Sequence, residues 1–136
     1  MPQIVVDDQL ETQFILGALD SWVGAVRLQS LRPGEHILDD RVPEILRTLK
    51  SPTFVTIDHG FWNRRLCHSD YCVLFFDLLT EEQKRIPAIL RVLFRLPEFN
   101  TRAARMGKVA RVDDDTVTFW EAGKRTTLPL TSHQSP

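Results

Sequence analysis

Acidic residues stand at the ends of short apolar runs in this chain. Ile4-Val5-Val6 leads into Asp7-Asp8, and Thr53-Phe54-Val55-Thr56-Ile57 leads into Asp58. Between them, Asp39-Asp40 and Glu44 precede or open a segment with Ile45, Leu46 and Leu49 at helical spacing. Apolar runs rich in β-branched residues and lacking polar alternation read as strands buried on both faces. In open parallel sheets, ligands gather outside the carboxyl ends of the strands. Neighbouring strands lie ~4.8 Å apart, so acids that end two adjacent strands converge, and a cation relieves their repulsion. Ligation by oxygen alone favours Mg2+ or Mn2+ over zinc. A local role competes for each acid: Asp7 or Asp58 capping the next helix, and Glu44 complementing a helix dipole from its first turn.

The elements that must position these acids are legible by pattern. The first strand, Gln3 to Val6, precedes a helix from about Leu10 to Trp22, with Phe14, Ile15, Ala18 and Leu19 at helical spacing. Gly24 to Leu28 forms a second strand, and Leu31-Arg32-Pro33-Gly34 a turn. Asp39 or Asp40 caps the second helix, with Pro43 in its first turn, and Ser51-Pro52 ends it. Thr53 to Ile57 is the third strand, Phe61 to Leu66 a short helix, and Tyr71 to Phe76 the fourth strand. Thr80-Glu81-Glu82-Gln83 has the composition of a helix start, and that helix runs to about Arg95, bent or delayed by Pro87. A further helical turn or two is expected over Asn100 to Met106. Beyond Gly107, the segments Lys108 to Val112, Thr116 to Trp120 and Arg125 to Leu130 read as a β-meander, and the last six residues as a frayed tail. The order predicts an α/β domain over 1–106 with a mostly parallel four-stranded sheet, and a C-terminal extension over 107–136.

The chain has 136 residues, of which 43% are hydrophobic and 26% charged, with a net charge of -1. That length and composition fit one packed domain and exclude a strongly basic polymer binder. The charge is segregated: -4 over residues 1–58, 0 over 59–80, +5 over 81–111 and -2 thereafter. The basic series Lys84, Arg85, Arg91, Arg95, Arg102, Arg105, Lys108 and Arg111 is either a solvated face or a polyanion contact. Two cysteines make no disulfide framework. The amino terminus lacks signal-peptide character, and no apolar run approaches the ~20 residues of a membrane span. A cytoplasmic protein without membrane association is expected.

At these residues the chain resembles the PIN-like (PilT N-terminus) domains. Ile4 to Leu10 is similar to their opening strand and acid. Asp40-Arg41-Val42-Pro43-Glu44-Ile45-Leu46 resembles their central acidic helix start. Phe54 to Phe61 resembles their Val-x-Thr-x-Asp-x-Asp-Phe signature. The likeness is greatest to the short bacterial PIN-like proteins related to VapC-type toxins, and it covers roughly Gln3 to Leu96. It implies a three-layer α/β/α fold and a Mg2+- or Mn2+-dependent ribonuclease of toxin–antitoxin type. Asp7, Glu44 and Asp58 are then the catalytic acids, Asp7, Asp8, Asp40, Glu44 and Asp58 the metal ligands, and RNA the substrate. An antitoxin partner and a homodimer are further implications. The chain departs from the pattern at Gly60, where the family often carries a second acid, with His59 beside it. Arg64 and Arg65 follow the third strand and are the expected nucleic-acid contacts, ahead of the distant basic helix.

Other readings compete with the nuclease. A degenerate PIN-like binding module is motivated by Gly60. A receiver-like signalling domain shares the acid positions but lacks the Ser or Thr and the Lys such a domain carries on its later strands. His59, Cys67, His68 and Cys72 match no zinc spacing, and nothing fixes a histidine beside either thiol. Trp120 is expected in the core of the meander.

Overall fold

A computed structural model describes residues 3–10 and 12–130 of the chain. Seven strands form one sheet in the order β2-β1-β3-β4-β5-β6-β7. They are β1 (Ile4–Val6), β2 (Ala25–Arg27), β3 (Thr53–Thr56), β4 (Cys72–Phe76), β5 (Val109–Val112), β6 (Thr116–Glu121) and β7 (Lys124–Pro129). The first five pair in parallel, and β6 pairs antiparallel with both β5 and β7. The parallel part therefore has one strand more than the sequence pattern predicts. β5, expected to open the meander, pairs in parallel with β4, because the helical stretches between Ile86 and Arg105 carry the chain back across the sheet before it starts.

Alternation along the strands sorts the core onto two faces. Ile4, Val6, Val55, Cys72, Leu74, Phe76, Ala110 and Val112 pack with Ile15 and Leu19 of α1 (Thr12–Asp20) and with Ile86, Ile89, Leu90 and Leu93 of α3 (Ile86–Leu93). Val5, Phe54, Val73 and Val109 face the other way, against Val42, Ile45 and Leu46 of α2 (Val42–Leu46). Asp7 and Thr56 follow the alternation of this second set, so the α2 side is where their side chains emerge.

Most expected elements form, with shifted ends. Pro43 and Pro87 both sit in the first turn of their helices, where the missing N–H is harmless. Pro87 delays α3: Thr80–Arg85 is a 3-10 turn and the α-helix starts at Ile86. The expected helix over Phe61 to Leu66 is instead two 3-10 turns, His59–Phe61 and Arg64–Leu66, capped by Asp58 and Asn63. α4 (Arg102–Arg105) is capped by Thr101. The tail expected to fray lies outside the described residues. No helix among the described residues is long and apolar enough to cross a membrane.

Candidate active site

Parallel pairing of β1 with β3, Val6 opposite Val55, brings the two acid-bearing strand ends together. Asp7 N–H donates to the Val55 carbonyl at 2.9 Å, which sets Asp7 beside Thr56. The Thr56 hydroxyl then donates to Asp7 Oδ2 at 2.6 Å and accepts from Asp58 N–H at 2.9 Å. One buried threonine thus orders both acids. Its place in the motif was visible in the sequence; its role required the register.

Asp7 is 7% exposed. Burial pushes its carboxyl above the ordinary range; the hydrogen bonds from Thr56 and Gln9 oppose this, and the charges of Asp8 and Asp39 add to it. Asp39 is exposed, yet it is also held above the ordinary range, by desolvation, by the Asp58 charge, by a side-chain hydrogen bond with Asp58 and by the Asp40 charge. Asp58 accepts from Gly60 N–H at 2.9 Å and so caps the 3-10 turn after β3. A β-carbon at Gly60 would lie 3.2 Å from Asp58 Oδ1, so a side chain there would crowd this carboxylate.

The other expected site acids are placed differently. Asp8 turns toward β2, where its Oδ1 accepts from Gln29 N–H at 3.1 Å and lies 3.6 Å from Arg27 Nε. Asp40, exposed like Asp39, reaches the site only as a charge near it. Glu44 is exposed on α2 and makes no hydrogen bond or ion pair among the described residues. The acid brought to Asp58 from the second helix region is Asp39. It lies in the 3-10 turn Asp39–Arg41 that leads into α2.

Asp7, Asp39 and Asp58 have no Lys, Arg or His partner among the described residues. Their hard oxygen donors suit a divalent cation by type. They approach pairwise rather than around one point: among the described residues no group of three or more His, Cys, Asp or Glu is disposed to hold a metal ion.

The basic residues divide. Arg64 and Arg65 are exposed, and the Arg64 guanidinium lies 5.4 Å from the Trp120 ring centre. Arg105 and Lys108 are buried, which corrects their expected place among backbone contacts. Arg105 lies 3.9 Å over the Phe94 ring, and Lys108 Nζ meets the Ala104 carbonyl and Glu121 Oε2. Trp120 is half-exposed, which corrects its expected burial. Burial pushes the Cys72 thiol up to about 12, and Cys67 also rises by burial, so neither is an activated nucleophile.

Compared with protein-family models, curated proteins and solved structures, the chain shows no significant match.

Proposed function

We propose that the chain is a Mg2+- or Mn2+-dependent ribonuclease with a PIN-like three-layer domain, acting in the cytoplasm as the toxin of a toxin–antitoxin pair. One observation carries the reading: Asp7, Asp39 and Asp58, from two adjacent parallel strand ends and the turn before α2, approach one another pairwise without a basic partner. Uncompensated carboxylates destabilise a fold, and sites that bind cations account for many such groups.

Asp7 and Asp58 would hold the cation, with Asp39 replacing Glu44 as the third acid. When bound, it would polarise a phosphodiester and lower the pKa of a water for in-line attack. The protein's own part is positioning. Thr56 fixes the Asp7 carboxylate and the Asp58 backbone together. Asp39 is raised beside Asp58, whose charge disfavours a second carboxylate there.

A second reading, a PIN-like module that binds without cleaving, is favoured by Gly60 at the second-acid position. One experiment separates the two. Purified protein is incubated with single-stranded RNA and Mn2+, beside Asp7→Asn, Asp39→Asn, Asp58→Asn and Glu44→Gln. The nuclease reading expects cleavage that falls at least ~100-fold in the three Asp variants, the scale of losing a group that stabilises transition-state charge, and less than ~3-fold in Glu44→Gln. Cleavage that survives Asp7→Asn and Asp58→Asn overturns it. RNA binding with no metal-dependent cleavage supports the binding module.

A further inference from the structure

The helices do not cover the whole α2 side of the sheet. Antiparallel partners share a face, so the rows Arg111–Thr118–Thr127 and Val109–Trp120–Arg125 point to the same side. Val109 is the last of these residues packed in the α2-side core. Beyond it, Thr118 and Trp120 are half-buried and Arg125 and Thr127 exposed. The opposite face of the same strands is closed, with Val117, Phe119 and Leu130 in the core under α3.

This open face continues from the acidic cluster. Register carries one row across the sheet: Thr56 lies opposite Phe75, Phe75 opposite Arg111, Arg111 opposite Thr118, and Thr118 opposite Thr127. Four strand spacings make the row about 19 Å long. It starts at the threonine bonded to Asp7 and ends at the outer strand. His59, next to Asp58, stands edge-on to Phe75 at 5.5 Å between ring centres and fills the middle of the row. A polar depression of about 370 Å3 follows, lined by His59, Trp62, Arg111, Thr118, Arg125 and Thr127. Asp77 also lines it and pairs with Arg111 at 2.8 Å. Trp120 carries two guanidinium groups near its ring, Arg64 at 5.4 Å and Arg125 at 5.8 Å. An aromatic platform among arginines is the composition that tracks single-stranded nucleic acid: bases stack on the ring and cations meet phosphates.

We propose that the open face of β5, β6 and β7 is a track for single-stranded RNA, with Trp120 stacking a base and Arg64, Arg111 and Arg125 contacting phosphates on the way to Asp58. The choice of RNA rests on the nuclease reading; the surface itself is defined by the sheet register and the uncovered strands. Asp77 is the built-in competitor, since an incoming phosphate must share Arg111 with it.

The test is fluorescence anisotropy with a labelled 12-nucleotide single-stranded RNA and the full chain in EDTA, so that binding is read without cleavage. Arg111→Ala with Arg125→Ala is expected to weaken binding at least ~10-fold. It should also lower the slope of log K against log salt by about 1.4, two phosphates at ~0.7 each. Trp120→Ala is expected to weaken it ~5–100-fold, with Trp120→Phe recovering part of the loss while keeping the fold. Asp77→Asn is expected to tighten binding ~2–5-fold by releasing Arg111. Lys84→Ala with Arg95→Ala, on the separate groove along α3, should change nothing.

Unchanged affinity and salt slope in the folded arginine pair overturn the track. So does a loss confined to the α3 groove variant, or a wild type that captures a protein but no RNA. The two proposals fail separately. If wild type binds through this face yet cleaves nothing with Mn2+, the track stands and the nuclease falls. If wild type cleaves and the arginine pair binds and cleaves alike, the nuclease stands and the track falls.

Discussion

Burial holds the Asp7 carboxyl above its ordinary range, so the folded state binds that proton more tightly than the unfolded state does. Stability at this position is therefore greatest below the unfolded value of 3.8 and is lost as pH rises through the folded value. Above that folded value the ionised Asp7 is a destabilising group. Asp7→Asn keeps an acceptor for the Thr56 hydroxyl and removes the charge. We expect its melting temperature to exceed that of wild type at pH 7, with the gap closing toward pH 3. A lower melting temperature for the variant at pH 7 would show that Asp7 is already compensated within the protein. The same residue is expected to be required for cleavage, so stability and activity should move in opposite directions. At this scale the sequence was legible in part. Asp7 and Asp58 stand out because each ends an apolar run. The choice of Asp39 over Asp40 does not, since successive residues of a 3-10 turn point ~120° apart and nothing in the pair shows which one approaches Asp58.

Elements were easier to read than their junctions. Strand existence follows from apolar runs such as Cys72–Phe76, every residue of which is buried. The direction of β5 was not legible, because whether Val109 meets Val73 in parallel depends on where α3 and α4 return the chain. The β6–β7 connection reads in the sequence as a turn at Ala122-Gly123-Lys124, and the structure narrows it and adds its conformation. Glu121 pairs with Lys124, leaving a two-residue loop in which Ala122 has φ 52° and Gly123 φ 80°. That is the turn type whose two central residues both need positive φ, where Asn-Gly is favoured. Alanine pays roughly 1–2 kcal/mol for the left-handed conformation. Ala122→Asn is expected to raise stability by about 0.5–1 kcal/mol, seen as a higher urea midpoint at unchanged m-value. An unchanged midpoint would mean that the hairpin is frayed in solution and does not contribute to the cooperative unit. Because this hairpin carries Trp120 and Arg125, the variant also tests whether stiffening the proposed track tightens RNA binding.

For the whole molecule, composition and element order lead to an α/β fold, and they place a boundary near Gly107 because the texture changes there from helical to β. Packing argues that this boundary does not separate two folding units. β4 is buried along its length and pairs with β3 on one side and β5 on the other. Val112, Val117, Phe119 and Leu130 fill the core under α3, and Val109 fills the one beneath α2. Lys108, 5% exposed, ties the two segments through the Ala104 carbonyl and Glu121. At ~1.5–3 kcal/mol for each large apolar side chain buried, these five contribute on the order of 10 kcal/mol. That is comparable with the roughly 5–15 kcal/mol net stability of a typical domain. Ending the chain after Met106 would remove that burial and turn an apolar central strand into an exposed edge, a template for aggregation. We expect the 1–106 fragment to lack a cooperative thermal transition and dispersed amide resonances, and to associate at micromolar concentration. A monomeric fragment with a sharp transition would instead make residues 107–136 an accessory to an autonomous domain. The proposed RNA track would then be a feature added to a site that folds without it.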